Sequence, residues 1–205
     1  MIRIITIERE FGCGGSEIAR SLAKELGWKL WDEILTNEIA KLSDANPDHV
    51  RDREERCDPL YYRLFKAFLR GSYEGSLNVR SLKLLDADSI FRNTMQVIER
   101  ISAEGNSVIV GRGSQHFLRD REDVLRIFLY AAKEEKVRRL IARGESEAKA
   151  EELVETVDRE RAAFIDKYFH VEWPNRALYH ALINTAPGDE VVVRLILHLA
   201  SAMES

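Results

Sequence analysis

Short apolar runs of strand length alternate along this chain with longer segments whose apolar residues recur every three or four positions. A continuous β-branched or apolar run predicts a buried strand, whereas the longer period predicts one face of a helix. The strands are predicted at 2–7, 28–31, 107–110, 125–130 and 178–184, and the helices at 16–26, 33–42, 61–69, 86–104, 133–143, 147–168 and 188–203. This alternation predicts an α/β fold in three layers, with about five parallel strands and helices on both faces.

The segment 4–19 combines a strand, a glycine-rich turn and the beginning of a helix. Glycines at such a turn let several backbone N–H groups approach one point, and the helix N-terminus adds the positive end of its dipole. The pattern is therefore typical of an anion site, most often for phosphate, although a turn with only a structural role is the alternative. The candidate phosphate-binding residues are Gly12, Cys13, Gly14, Gly15, Ser16 and Glu17.

Aligned with the P-loop pattern G-x-x-x-x-G-K-[ST], this turn occupies residues 9–16. Gly14 matches the second glycine, and Ser16 matches the hydroxyl residue that commonly contacts magnesium, so Ser16 is the candidate metal ligand. Arg9 stands in place of the first glycine, and Gly15 stands in place of the lysine. Phosphoryl transfer needs positive charge around the transferred group, so we expect a guanidinium to replace the lysine, and Arg9 is nearest along the chain.

Two further candidates directly follow predicted strands. Asp32 comes after the strand at 28–31, where ligand-facing residues of parallel sheets lie, and it equally suits the N-cap of the helix at 33–42. Arg112 stands between Gly111 and Gly113 at the end of the strand at 107–110. A guanidinium matches phosphate oxygens in a fork geometry, so this position predicts an anion site; the alternative is a salt-bridged surface arginine in a turn.

Two highly charged regions allow more than one interpretation. The charge run at 51–56 is typical of a solvated face, and the alternative is a mobile arm that closes over an anionic substrate. In the predicted helices between 133 and 168, Arg139 and Arg143 share one helix face. Pairing with the abundant glutamates at a spacing of four residues is the alternative to a role in anion binding.

Composition limits the class of protein. A chain of 205 residues is long enough for a single domain with a real core, and its net charge of −4 argues against a general nucleic-acid binder. No apolar run approaches 18 residues, and Met1 leads directly into a strand, so neither a membrane segment nor a signal segment is predicted. We therefore expect a cytoplasmic protein with no membrane partner; the sequence does not determine its oligomeric state.

The two cysteines, Cys13 and Cys57, have no metal-ligand spacing, and a pair of thiols does not make a disulfide framework, which also favours a reducing cytosol. Cys13 lies in the glycine turn before a predicted helix. A thiol in such a position is expected to be accessible and to have a lowered pKa. The sequence therefore predicts that Cys13 reacts with maleimide faster than Cys57 and that nucleotide protects it.

The order of these motifs resembles that of the P-loop nucleoside monophosphate kinases and, more closely, of the cytidylate kinase-like family. The matching segments are 6–15 in the glycine turn, 108–113 in the middle of the chain, and 158–161 and 178–185 near the end. Together they span almost the whole sequence. The resemblance implies a P-loop NTPase-type fold over residues 1–205, with an acceptor-side helical insertion at 44–84 and a helical lid at 138–170.

The resemblance also implies roles for individual residues. It assigns phosphate and magnesium binding to the glycine turn and Ser16, and acceptor phosphate binding to Arg112 with its flanking glycines. The arginines that it places in a lid over the donor phosphates are Arg138, Arg139, Arg143, Arg159 and Arg161. True cytidylate kinases carry a lysine at the position of Gly15 and an aspartate at that of Gly113, and neither is present here.

Three functional hypotheses follow. The first is a phosphotransferase that moves the γ-phosphoryl group of ATP, with Mg²⁺, to a small-molecule nucleotide, CMP or dCMP; Arg9, Arg112, Arg139, Arg143 and Arg159 are its candidate catalytic residues. The second is a nucleotide-binding sensor that keeps the fold without catalysis. The third is a kinase for another small acceptor, because this fold hosts many acceptors.

Overall fold

The computed structural model describes residues 1–32, 34, 35, 38 and 87–204. The strands are β1 (Ile4–Arg9), β2 (Lys29–Trp31), β3 (Ser107–Val110), β4 (Val124–Tyr130) and β5 (Ala181–Asn184). The helices are α1 (Gly15–Leu26), α2 (Ala87–Glu104), α3 (Ser114–Phe117), α4 (Lys133–Ala142), α5 (Glu147–Phe169) and α6 (Asp189–Ala202). The helix predicted at 61–69, most of the one at 33–42, the insertion at 44–84 and Cys57 lie outside the described residues.

The five strands form one parallel sheet in the order β2-β3-β1-β4-β5, which confirms the predicted fold class. β1 is the central strand, and all six of its residues are buried. A strand that is covered on both faces reads as a continuous apolar run, which is why β1 and β3 are recognisable in the sequence. The carboxyl ends of β1 and β3 lie side by side, with Ile7 paired to Val110.

Helices cover both faces of the sheet. On one face, Ile5 and Ile7 of β1 pack with Ile18 and Leu22 of α1 and with Ile196 of α6. On the other face, the buried residues that α2 and α5 contribute pack against the sheet; these are Val97, Ile98, Ile101, Phe164 and Ile165. Each fully buried Leu, Ile or Phe contributes about 1.5–3 kcal/mol of hydrophobic stabilisation, so the two layers anchor the sheet from both sides.

A third apolar cluster connects the hairpin of α4 and α5 to the glycine turn. Phe11, which follows β1, is buried with Leu140 of α4 and with Leu153, Val154 and Val157 of α5. The hairpin contains the segment predicted as a lid, at 138–170. Its helices lie against the turn between β1 and α1, and its movement on nucleotide binding stays a prediction.

Some predicted boundaries are wrong. The last strand begins at Ala181 rather than at residue 178, because Arg176–Leu178 form a 3₁₀ turn in which the Asn175 side chain accepts a hydrogen bond from the Ala177 N–H. The short helix α3 was not predicted, since four residues are too few to show a helical period. None of the helices in the described part of the chain has the length and apolar character needed to cross a bilayer.

Candidate functional site

The turn between β1 and α1 has the backbone geometry of an anion site. Gly12 and Gly14 have positive φ angles of 81° and 86°, which glycine adopts without steric cost. Gly14 is the N-cap of α1, and its left-handed conformation turns the chain so that the helix begins at Gly15. The first N–H groups of α1 therefore face the carboxyl edge of the sheet.

Ser16 and Asp32 come together beside this turn. The Ser16 hydroxyl donates a hydrogen bond of 2.7 Å to Asp32 Oδ2, which joins the first turn of α1 to the carboxyl end of β2. Hydroxyl and carboxylate oxygens are the ligands that Mg²⁺ accepts, and in phosphotransferases one or two of them suffice beside phosphates and water. The pair thus fits a magnesium ion. Among the described residues, no cluster of three or more acidic, His or Cys ligands provides another metal site.

The side chain of Arg9 crosses the base of the turn. An ideal Cβ atom at Gly15 would lie 2.9 Å from Arg9 Cγ and 3.0 Å from Arg9 Cβ, so the arginine stem fills the space beside position 15. At the other end, a Cβ atom at Gly111 would coincide with the guanidinium, which therefore lies across the end of β3. Its Nη2 atom is 3.9 Å from Asp32 Oδ1, and only 2% of the side chain is exposed.

Arg112 is equally buried, at the end of β3, so the alternative of a surface arginine is wrong. Burial, and next the nearby charge of Arg9, lower the pKa of Arg112 to about 9, while Asp32 and Glu8 oppose this. Two buried arginines thus stand at adjoining strand ends below the glycine turn, Arg9 at the end of β1 and Arg112 after β3. An anion placed there would relieve their repulsion.

A buried carboxylate that the sequence analysis did not single out lies next to the two arginines. Glu8 Oε2 accepts a hydrogen bond of 2.9 Å from Gln115 Nε2, and Glu8 Oε1 accepts one of 3.1 Å from the Arg9 N–H. Glu8 Oε1 is also 3.8 Å from Arg9 Nη1. The only available signal was an acidic residue inside an apolar strand. Glu8 supplies negative charge that the pair of buried guanidinium groups requires.

The five arginines predicted for a lid occupy different environments. The Arg139 guanidinium lies over Gly14, where an added Cβ atom would meet it, and it donates to Glu135, Asp189 and the Thr185 carbonyl. Arg143 pairs with Glu17 of α1 at 2.9 Å. Arg161 is buried and donates to the Arg9 carbonyl at 2.9 Å.

Arg138 and Arg159 are exposed, and Arg138 pairs with Glu135 on its own helix. The structure thus brings three of the five arginines to the glycine turn and leaves the other two on the surface of the hairpin. Arg139, Arg143 and Arg161 remain candidates for contacts with a bound phosphate chain.

A second charged group fixes the turn and was also missed by the sequence analysis. The Lys136 amine of α4 lies 2.9 Å from Glu10 Oε2 and 3.2 Å from Asp158 Oδ2. Asp158 Oδ1 accepts a hydrogen bond of 2.7 Å from the Phe11 N–H. Burial raises the pKa of Asp158, and Arg161 and Lys136 oppose that rise. These contacts tie the hairpin to the segment just before Gly12.

The prediction for Cys13 is wrong. Its side chain is fully buried in the apolar core, where the Sγ atom lies 3.7 Å from the Leu129 carbonyl oxygen. Burial raises the pKa of the Cys13 thiol to about 12, which outweighs the hydrogen bond from the Gly15 backbone and the charge of Arg9. The loss of hydration around the buried sulfur is thus larger than the lowering that the helix N-terminus provides.

Phe169 accounts for the glycine at position 113. A Cβ atom there would lie 2.8 Å from Cζ and 2.9 Å from Cε2 of the Phe169 ring, and Gly113 has a φ angle of 66°. The ring stacks on His116 with centroids 4.2 Å apart and also contacts Phe117 and Phe91. Because several rings hold Phe169 in place, an aspartate at position 113 does not fit this arrangement.

A sheet of order 2-3-1-4-5, a glycine turn before α1 and a serine at its first turn define a P-loop kinase fold. The sequence profile of the cytidylate kinase-like family matches residues 4–187. The chain therefore belongs to the cytidylate kinase-like family, as the resemblance of its motifs suggested. No curated protein matches the sequence.

Solved structures agree with this fold. An uncharacterized protein from Eubacterium ventriosum ATCC 27560 has a TM-score of 0.69 at 23% identity, over 98% of this chain and 99% of that one. Shikimate kinase from Bacteroides thetaiotaomicron has a TM-score of 0.55 at 13% identity, over 98% and 99%. A gluconokinase from Sinorhizobium meliloti 1021 has a TM-score of 0.54 at 15% identity, over 98% and 93%. At these identities the similarity shows the fold, and with the family it supports a nucleotide kinase-like phosphotransferase.

Proposed function

We propose that this protein transfers the γ-phosphoryl group of ATP to the phosphate of a nucleoside monophosphate, with CMP and dCMP as the first acceptors to test. The observation that carries the proposal is the pair of buried guanidinium groups, Arg9 and Arg112, at the adjoining carboxyl ends of β1 and β3. Burying two like charges is costly, so their placement beside a glycine turn and a helix N-terminus favours a strongly anionic ligand.

The residues take distinct roles in this proposal. Backbone N–H groups of the glycine turn hold the donor phosphates, with Arg139 of α4 and Arg143 at its C-terminal end contributing positive charge. Arg112 holds the acceptor phosphate. Ser16 and Asp32 would hold a magnesium ion, which would neutralise charge on the donor phosphates. Because the chemistry of phosphoryl transfer requires mainly alignment and positive charge, this set of side chains needs no covalent nucleophile.

A different acceptor is the second candidate, and Phe169 favours it. In true cytidylate kinases the position of Gly113 carries an aspartate, and here the Phe169 ring fills the space for that side chain. The wall next to Arg112 is therefore aromatic, with His116 and Phe117 beside Phe169, rather than acidic. An acceptor whose phosphate binds Arg112 and whose remaining part is planar and apolar suits this wall.

The test is an ADP-release assay with MgATP and a panel of nucleoside monophosphates and other small phosphorylated or hydroxylated acceptors. We expect turnover with at least one acceptor and a loss of on the order of 10²-fold or more in Arg112→Ala. Arg119→Ala is the matched control, because its side chain is 68% exposed and pairs with its neighbour Asp120 on the surface.

Each result of this assay distinguishes one hypothesis. Turnover with CMP or dCMP supports the first candidate, and turnover only with another acceptor supports the second. Absence of turnover with the whole panel, together with a melting temperature that ATP still raises, would refute the kinase and favour a nucleotide-binding sensor.

A further inference from the structure

We infer that Arg9 performs the catalytic role of the P-loop lysine, and that Arg9 and a side chain at position 15 exclude each other sterically. The inference deepens the proposed function and rests on it, because it requires a phosphate donor in the glycine turn. It assigns one defined cation to the transferred phosphoryl group. It also explains why both departures from the P-loop pattern, at positions 9 and 15, occur in one sequence.

The steric part follows from the path of the arginine stem. The stem runs beside Gly15, where an added Cβ atom would lie 2.9 Å from Arg9 Cγ, closer than real Cβ contacts. The Cβ atom of Arg9, at 3.0 Å, is fixed by the backbone of β1, and the Cγ atom can move only if the buried side chain changes its χ1 angle, so the stem cannot move aside cheaply. A lysine at position 15 therefore requires a smaller residue at position 9. The reverse also holds, since an arginine at position 9 requires glycine at position 15.

The electrostatic part follows from where the guanidinium ends. It lies across Gly111, within 4 Å of Asp32 Oδ1, and Asp32 in turn accepts the Ser16 hydroxyl hydrogen bond. This places a permanent positive charge between the residue that matches the magnesium ligand and the end of β3. A P-loop lysine brings its charge to the donor phosphates from the first turn of the helix. Here the equivalent positive charge belongs to Arg9, at the end of β1 and below the turn.

At position 9, arginine suits the role of a buried phosphate-binding cation better than lysine would. Its guanidinium stays charged in a buried site and grips two phosphate oxygens with a planar fork. The carboxylate oxygens of Glu8 and Asp32 lie 3.8 Å and 3.9 Å from the guanidinium nitrogens of Arg9. A phosphate group bound beside Arg9 and Arg112 would accept hydrogen bonds in the planar geometry that a guanidinium offers.

The experiment exchanges the two positions. Arg9→Ala, Gly15→Lys and the double variant Arg9→Ala/Gly15→Lys are compared with wild type, and Arg119→Ala serves as the control. Calorimetric titration measures affinity for MgADP alone and for MgADP with aluminium fluoride, which mimics the transferred phosphoryl group. Melting temperatures measure the steric part without any nucleotide. If Arg9→Ala does not fold, Arg9→Met replaces it in the comparison of the single variants only, because methionine fills much of the same space without the charge but keeps the Cγ atom that meets a side chain at position 15.

We expect Arg9→Ala to lose on the order of 10²–10³-fold in affinity for the aluminium fluoride complex and less than about tenfold for MgADP alone. Gly15→Lys should lower the melting temperature, since its stem meets that of Arg9. The double variant should melt above Gly15→Lys and regain at least about tenfold of the affinity that Arg9→Ala lost for the fluoride complex.

The outcomes separate this inference from the proposed function. A wild-type protein that does not bind MgADP would refute the proposed function and the inference with it. A wild type that binds both complexes, with Arg9→Ala weakening them equally or not at all, would refute the inference alone. A double variant that is no better than Arg9→Ala in the fluoride complex, or no more stable than Gly15→Lys, would also refute it.

Discussion

Replacing Lys136 by methionine tests whether a buried ion pair holds the glycine turn in place. The Lys136 amine contacts Glu10 and Asp158, and the three side chains are 9%, 24% and 16% exposed. Removing one partner of a buried pair costs roughly 3–5 kcal/mol, because the remaining charge stays desolvated. Asp158 keeps hydrogen bonds from Phe11 and Arg161. We therefore expect a loss of about 2–3 kcal/mol in the free energy of unfolding at pH 7.

The loss of unfolding free energy caused by Lys136→Met should depend on pH. Burial raises the pKa of Asp158 in the folded protein, and removal of the Lys136 charge should raise it further. A carboxyl group with a raised folded-state pKa takes up its proton in the folded protein first, so acidification stabilises the folded state relative to the unfolded chain. The difference between wild type and Lys136→Met should thus be largest at pH 7 and shrink as the pH falls toward that pKa.

Urea unfolding at several pH values between 7 and 5 measures both effects. Lys133→Met is the matched control, because Lys133 lies one turn earlier on α4 and pairs with Glu155 in an exposed position. We expect the control to unfold like wild type. The role given to this ion pair would be contradicted if Lys136→Met lost no more unfolding free energy than the control, or if its loss did not change with pH. Affinity for MgADP should also fall in Lys136→Met, since Glu10 and Phe11 directly precede Gly12.

Three further predictions concern single positions. Gly14→Val should weaken ATP binding at least tenfold in titration calorimetry, because its Cβ would displace Arg139 and because φ is 86° there; unchanged affinity in a folded variant would argue against the anion site. Native Cys13 should resist maleimide, with or without nucleotide, and react only on unfolding; rapid labelling would contradict its burial. Burial lowers the pKa of His116 to about 4, so stability should fall from pH 6.5 toward pH 4 as the unfolded chain takes up the proton first. His116→Phe should remove about 1–2 kcal/mol of that fall, as measured by denaturant midpoints at pH 7 and 5; an identical slope in the variant would contradict it.

The fold class could be predicted from the sequence because its signals are local. β1 and β3 are buried on both faces, and β-branched residues dominate 4–7 and 108–110, while the glycine turn shows in three glycines within four residues. The family could be recognised for the same reason, since its motifs are contiguous segments. Element boundaries were less well predicted where a side-chain hydrogen bond sets the boundary. An example is the 3₁₀ turn Arg176–Leu178, after which β5 begins only at Ala181.

The candidate site was predictable only in part. The sequence indicated that Arg9, Ser16, Asp32 and Arg112 are candidates, because each stands at the end of a predicted strand or at the start of a helix. It could not show that Arg9 and Arg112 are both buried at adjoining strand ends, since residues 103 positions apart come together only through the pairing of β1 with β3. The direction of the Cys13 side chain was likewise invisible, because a turn exposes or buries a thiol according to its backbone angles.

The reason for both departures from the kinase pattern is a matter of tertiary structure. The sequence determined that position 15 lacks a lysine and position 113 lacks an aspartate. Only the tertiary structure shows that the Arg9 stem occupies the space beside position 15 and that the Phe169 ring occupies the space beside position 113. Both exclusions join residues that lie in different elements, and steric overlap depends on distances of a few tenths of an ångström that no residue pattern records.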